Sequence, residues 1–313
     1  MSLTSPILSL PLACALWATA APAHAVDLGQ LPGAERWLVQ VDVAAVMKGK
    51  LGQWLLQHQD GMIKARLSLL TAVSGLDLTK DLDSLTLCGA DAGEDGALIY
   101  AHGRFDGKRL TGLVQAAEGY TTIPYQGHAI SQWNDTRRGP GKLNAACLVG
   151  DGLLVFAQRA ELVELALDVL DGRNHETAAK AGQFDAGAFP AGAPLVLAAT
   201  VDMQNWAKLA PQAAMLRNVR GLVAGVSEQG DDFVLSAHLS GRDAAATAQL
   251  RDLAQGLIAL AKLNQGAPME PLAQAVVDSA EVSASGAALS ASAHVPIAAV
   301  LGVIAQRNAG QAP

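Results

Sequence analysis

Seven histidines are the side chains in this chain best placed to move protons or hold a metal near neutral pH. Three of them share a setting. His102, His238 and His294 each follow an alanine near the end of an apolar stretch, just before a helix signal. An imidazole there can serve as a metal or acid–base group at a strand end, or simply satisfy a strand-end hydrogen bond. His128 lies in Tyr125-Gln126-Gly127-His128, close to Trp133, a pairing that fits contact with a small ligand. Arg137-Arg138, in the loop 134–142, is a local basic patch that suits an anionic partner. The candidate binding residues are therefore His102, His128, Trp133, Arg137, Arg138 and His238. No catalytic or metal-ligating set can be named, and no cofactor is expected.

The motifs that would sharpen this are missing. Gly139-Pro140-Gly141-Lys142 lacks the earlier glycine and the following Ser/Thr of a phosphate loop. Gly225-Val226-Ser227-Glu228-Gln229-Gly230 has the wrong spacing for a nucleophile elbow. Asp91, Gly93, Asp95 and Gly96 hint at a calcium loop, but His102 stands where the bidentate glutamate belongs, so a polar hairpin turn is the better reading. Glu161, Glu164 and Asp168 alternate with Leu162, Val163, Ala166, Val169 and Leu170, which makes them the solvated side of a helix rather than a carboxylate pair.

Composition narrows the class. The 313 residues are 50% hydrophobic and 16% charged, with a net charge of −7. A chain this apolar folds. One this acidic, with no basic block, is not built for nucleic acid. Residues 1–25 carry no charged side chain, and an apolar run from Ile7 to Ala20 leads to Ala23-His24-Ala25. That pattern predicts a secretory signal peptide cut after Ala25, with a periplasmic or secreted product that has no transmembrane helix. Cleavage removes Cys14 and leaves Cys88 and Cys147. In an oxidising compartment these can form a disulfide, or they can remain two buried thiols.

The mature chain alternates strands with amphipathic helices. Apolar runs at 37–43, 82–90, 97–105, 121–133 and 144–158 read as strands, with turns at Asp91–Gly96 and at Gly150-Asp151-Gly152. Helices are predicted over 44–56, 62–73, 106–117 and 160–170. Residues 172–194, rich in Gly, Ala and Pro, read as a linker. The second half repeats the order, with strands from 195, 221, 233, 280 and 287 and helices at 203–218, 243–263 and 296–304. Ala101-His102-Gly103-Arg104-Phe105-Asp106 matches Ala237-His238-Leu239-Ser240-Gly241-Arg242-Asp243 with one insertion. The expected class is α+β: two tandem repeats of antiparallel sheet with helices packed on one face, at 26–171 and 195–308, followed by a tail at 309–313.

Gly103-Arg104-Phe105-Asp106, Tyr125-Gln126-Gly127-His128-Ala129-Ile130 and Asp151-Gly152-Leu153-Leu154-Val155-Phe156 give the first half a resemblance to uncharacterised secreted bacterial proteins of tandem α+β, ferredoxin-like repeats. The resemblance implies fold and export and carries no activity. The expected function is an exported, non-enzymatic binding or scaffold module of the bacterial envelope, its partner an envelope protein or a small ligand. The alternatives are a small-molecule or peptide binder using the groove between the repeats, and a hydrolase with an unrecognised site.

Overall fold

The computed structural model describes residues 26–58, 68, 71–72, 75–91, 93–200, 219–263 and 270–309. The predicted signal peptide, most of the helix at 62–73, the helix at 203–218 and most of the tail lie outside the described residues.

Among the described residues twelve strands form one antiparallel sheet: β1 (Trp37–Asp42), β2 (Leu82–Gly89), β3 (Ala97–Gly103), β4 (Thr121–Tyr125), β5 (His128–Asn134), β6 (Leu143–Val149), β7 (Leu153–Ala157), β8 (Leu195–Thr200), β9 (Val219–Gln229), β10 (Asp232–Gly241), β11 (Glu281–Ser285) and β12 (Ala288–Pro296). Their order is 11-12-10-9-8-1-2-3-7-6-5-4. Eight helices complete the described fold: α1 (Val43–Lys48), α2 (Lys50–Gln57), α3 (Gly107–Gln115), α4 (Ala160–Leu170), α5 (Ala178–Ala181), α6 (Ala244–Leu263), α7 (Pro271–Ser279) and α8 (Ile297–Ala309).

The α+β class and the antiparallel sheet agree with the sequence reading, but two separate repeat units do not appear. β1 pairs with β2 on one side and with β8 on the other, Leu38 facing both Cys88 and Ala198, so the halves share one hydrogen-bonded sheet. Nor do the helices keep to one face. In the first half the core lies under α4, where Val163, Ala166 and Leu167 cover Ile130, Cys147 and Val155. On the opposite face α3 lies near Ala146, Leu148 and Leu154. In β10 and β12 the buried residues Phe233, Leu289, Ala293 and Val295 point to that opposite face, toward α6–α8. Ser236, His238, Ser240, Ser290 and Ser292 point the other way. The apolar side of the sheet thus switches face between β9 and β10.

The 172–194 stretch is a packed strap rather than a linker. Ala178 and Phe184 belong to the core. Gly33 N–H donates to Glu176 O (2.8 Å), Ala178 N–H to Leu31 O (2.9 Å) and Gln183 Nε2 to Gly33 O (3.0 Å). The strap therefore clamps the N-terminal segment 26–35 onto the sheet and buries Leu28 and Leu31. That segment roofs β1–β3.

Candidate functional site

Under this roof the sheet presents polar side chains. Alternation places Leu38, Gln40 and Asp42 of β1 on the roofed face, with Ser84, Thr86 and Cys88 of β2 and Leu98, Tyr100 and His102 of β3. The register aligns them in three cross-strand ranks: Leu38–Cys88–Leu98, Gln40–Thr86–Tyr100 and Asp42–Ser84–His102. Polarity rises from the first rank to the third. Gly103 ends β3 where the β2 register shifts; a Cβ there would sit 2.2 Å from Asp81 O, so a bare α-carbon is needed beside His102. A cavity of about 230 Å³ opens over the two polar ranks, lined by Asp27, Gln30, Leu31, Gln40, Ser84, Thr86, Tyr100 and His102.

The buried groups beside the cavity are electrostatically coupled. Glu35 is 3% exposed, and burial, reinforced by the Asp91 charge, pushes its carboxyl up to about 7. Burial and then the Glu35 charge raise the Cys88 thiol. Burial raises the Tyr100 phenol too, with smaller contributions from Cys88 and Glu35. Among the described residues Glu35 Oε2 and the Tyr100 hydroxyl find no hydrogen-bond partner. Buried polar atoms left in that state are uncommon and call for an explanation.

The site residues expected from sequence do not come together. His102 lines this cavity. His128 is three strands away on the same face, roughly 14 Å at ~4.8 Å per strand. Its position follows from turn chemistry: Gln126 (φ 48°) and Gly127 (φ 91°) make a two-residue hairpin turn that pairs Tyr125 with His128. His128 Nε2 lies 2.8 Å from Asp171 Oδ2. Arg173 bonds Asp171 (2.6 Å) and Asp168 (2.8 Å), and the Tyr125 hydroxyl donates to Asp168 (2.9 Å). Asp168 and Asp171 lie at the C-terminal end of α4, where the helix dipole disfavours carboxylates. The cluster is a clasp that relieves this and ties α4 to the β4–β5 hairpin. The His128 hydrogen bond, with Arg173, holds the Asp171 carboxyl below its usual range.

Trp133 packs against Phe156 at 6.1 Å between ring centres. Arg138 is not a free cation: it pairs with Asp95, which also binds Lys142 (2.9 Å), and Arg159 donates to the Asp95 carbonyl (3.1 Å). Lys142, then Arg138, hold the Asp95 carboxyl low. The patch read as basic is thus a loop pinned to the 91–96 turn, with Arg137 left exposed. His238 Nδ1 lies 3.0 Å from Ser290 Oγ on β12. Five strand steps, roughly 24 Å, separate it from His102.

Cys88 and Cys147 are both free and buried, so they form no disulfide. β3 and β7 lie between their strands, which sets them roughly 14 Å apart, twice the ~7 Å Cα limit for a bridge. Burial, with the Asp171 charge, raises the Cys147 thiol to about 11. Among the described residues no group of three His, Cys, Asp or Glu could hold a metal ion. No helix among them is long and apolar enough to cross a membrane.

Sequence reasoning missed Glu35, Gln40, Ser84, Thr86 and Tyr100. The available signal was the run of Ser84, Thr86 and Cys88 alternating with Leu85 and Leu87, which reads as a solvent face until a roof is known.

No family profile and no curated protein matches the chain, so the tandem-repeat family finds no support. Among solved structures the chain is similar to TP0453. The overlap with its crystal form III has a TM-score of 0.48 at 8% identity, covering 90% of this chain and 99% of that one. Form IV gives 0.48 at 8% identity, covering 90% and 97%. Form I gives 0.45 at 9% identity, covering 90% and 98%. At these values the likeness assigns the chain neither a family nor an activity.

Proposed function

We propose that the chain is an exported, non-enzymatic binding protein whose site is the roofed pocket over β1–β3, not a groove between two repeats. One observation carries the reading. Most of the residues that line the pocket are polar although it lies over a buried part of the sheet, and the buried Tyr100 hydroxyl among its lining has no protein partner among the described residues. A fold keeps an arrangement that costs about 1–3 kcal/mol per unsatisfied group when something else repays it, and a bound solute does so. Export rests on the uncharged segment 1–25 and its Ala23-His24-Ala25 end. The strand orders 1-2-3-7-6 and 8-9-10-12-11 on either side of the β1/β8 pair favour an ancestral duplication, now merged into one sheet.

The hydrolase reading has a specific obstacle. Asp42, Ser84 and His102 share a rank, but the serine stands in the middle. Nucleophilic catalysis needs the imidazole between hydroxyl and carboxylate. Here Asp42 is two strands from His102, and its carboxylate accepts the Ala45 N–H (2.8 Å) to cap α1.

The test is native mass spectrometry of the protein isolated from its own cell envelope, alongside a Thr86→Trp variant that fills the pocket. A retained small-molecule mass on the parent that is lost from the variant is expected. Bare protein in both, or the same adduct on both, would refute the binding reading.

A further inference from the structure

We infer that the occupant of the β1–β3 pocket is an uncharged, polyhydroxylated molecule of about single-sugar size. This rests on reading the pocket as a binding site and adds its chemistry.

Charge is the first constraint. None of the described lining residues is Lys or Arg, while Asp27 lies at the rim and Glu35 and Asp42 lie close by. A phosphate or carboxylate would meet negative groups with no cation to pair it, in a setting where an unpaired buried charge is most costly. An amine fares little better, because Asp27, exposed at the rim where solvent screens it, is the one carboxylate among the described lining residues, and the carboxylates near the pocket are already engaged or neutral. Asp27 Oδ1 accepts the Gly29 N–H at 2.9 Å, Asp42 caps α1, and burial favours the neutral form of Glu35.

The second constraint is hydrogen-bond type. Gln40 and His102 have partners within the protein; what the pocket offers a ligand is hydroxyls (Ser84, Thr86, Tyr100) and the Gln30 carboxamide. Each supplies both a donor and an acceptor. A ligand hydroxyl also does both at one atom, so a set of hydroxyls is the partner such a lining can satisfy throughout. Leu31 gives the pocket one apolar wall, which suits the C–H face of a ring or polyol chain.

Size is the third constraint. At about 230 Å³ the cavity falls below the ~300–1,000 Å³ of drug-sized sites. A disaccharide or a peptide would not fit beneath the roof.

The experiment is calorimetric titration of the purified mature protein with glucose, galactose, myo-inositol and ribitol, and separately with glucose 6-phosphate, glutamate and putrescine. Saturable binding distinguishes a site from the general stabilisation that polyols give proteins at high concentration. At least one uncharged polyol is expected to bind saturably. Tyr100→Phe and Thr86→Val should each weaken it about tenfold, the loss of one hydrogen bond, while Ser290→Ala, on β12 and remote from the pocket, leaves it unchanged. Binding of only the charged solutes, sensitive to the same two substitutions, would overturn the ligand class and leave the binding reading standing. No saturable binding of any polyol overturns this inference; a small-molecule mass retained from the envelope would still uphold the pocket as a binding site.

Discussion

A carboxyl buried beside a thiol and a phenol stays in a folded protein most easily as the neutral acid. Glu35 is such a group, raised from 4.5 to about 7 by burial first and by Asp91 second. Its folded value lies above its unfolded one. The stability it contributes is therefore complete below about pH 4.5, falls as the unfolded state ionises first, and is gone once pH passes about 7. The difference is worth ~3 kcal/mol. Glu35→Gln should abolish most of the loss in thermal stability between pH 5 and pH 8; an unchanged slope would place the titrating group elsewhere. The two cysteines give a second prediction. Buried and raised, Cys88 and Cys147 should resist alkylation in the native protein, react fully on unfolding, and leave Tm the same with and without reductant. The type of these residues was legible in the sequence, but their burial was not. Ser84 and Thr86 alternate with leucines as solvent-facing residues do, and only the strap and the 26–35 segment, both distant in sequence, turn that face inward.

At the scale of elements the sequence was more informative, because local chemistry decides where strands and helices begin. The strand at 82–90 is β2 to within a residue, and the helix at 160–170 is α4. Asp106 and Asp243 cap their helices as predicted, accepting from Arg109 N–H (3.1 Å) and Ala246 N–H (2.8 Å). Pro296 instead ends β12, and α8 begins at Ile297. The loop 134–142 was misread because its partner, Asp95, is about forty residues away. Asp95→Ala should free that loop, and trypsin cleavage at Arg137 and Arg138 in the native protein should rise severalfold; an unchanged rate would mean that the ion pairs do not hold it. In α4, Leu167 is fully buried against the sheet, and Leu167→Ala should cost about 2–5 kcal/mol in chemical denaturation.

Across the whole molecule, the join between the halves was the least legible feature. Period-two patterns identify strands without saying which strand pairs with which. Two chains of elements with the same layout can form two small sheets or one large one. The β1/β8 ladder makes them one, so tryptophan fluorescence and far-ultraviolet circular dichroism should report a single coincident unfolding transition. Leu197→Pro, in the middle of that central strand, should lower its midpoint by the equivalent of about 3 kcal/mol or more. Two separate transitions in the parent protein would restore the picture of independent repeats.

The pocket is central to this account, and amide hydrogen exchange locates it most directly. The mature protein is compared with and without the small-molecule extract of its own envelope. Added protection should be confined to β1, β2, β3 and the 26–35 roof, the elements that line the cavity. Protection absent everywhere, or appearing only in β10 and β12, would contradict it.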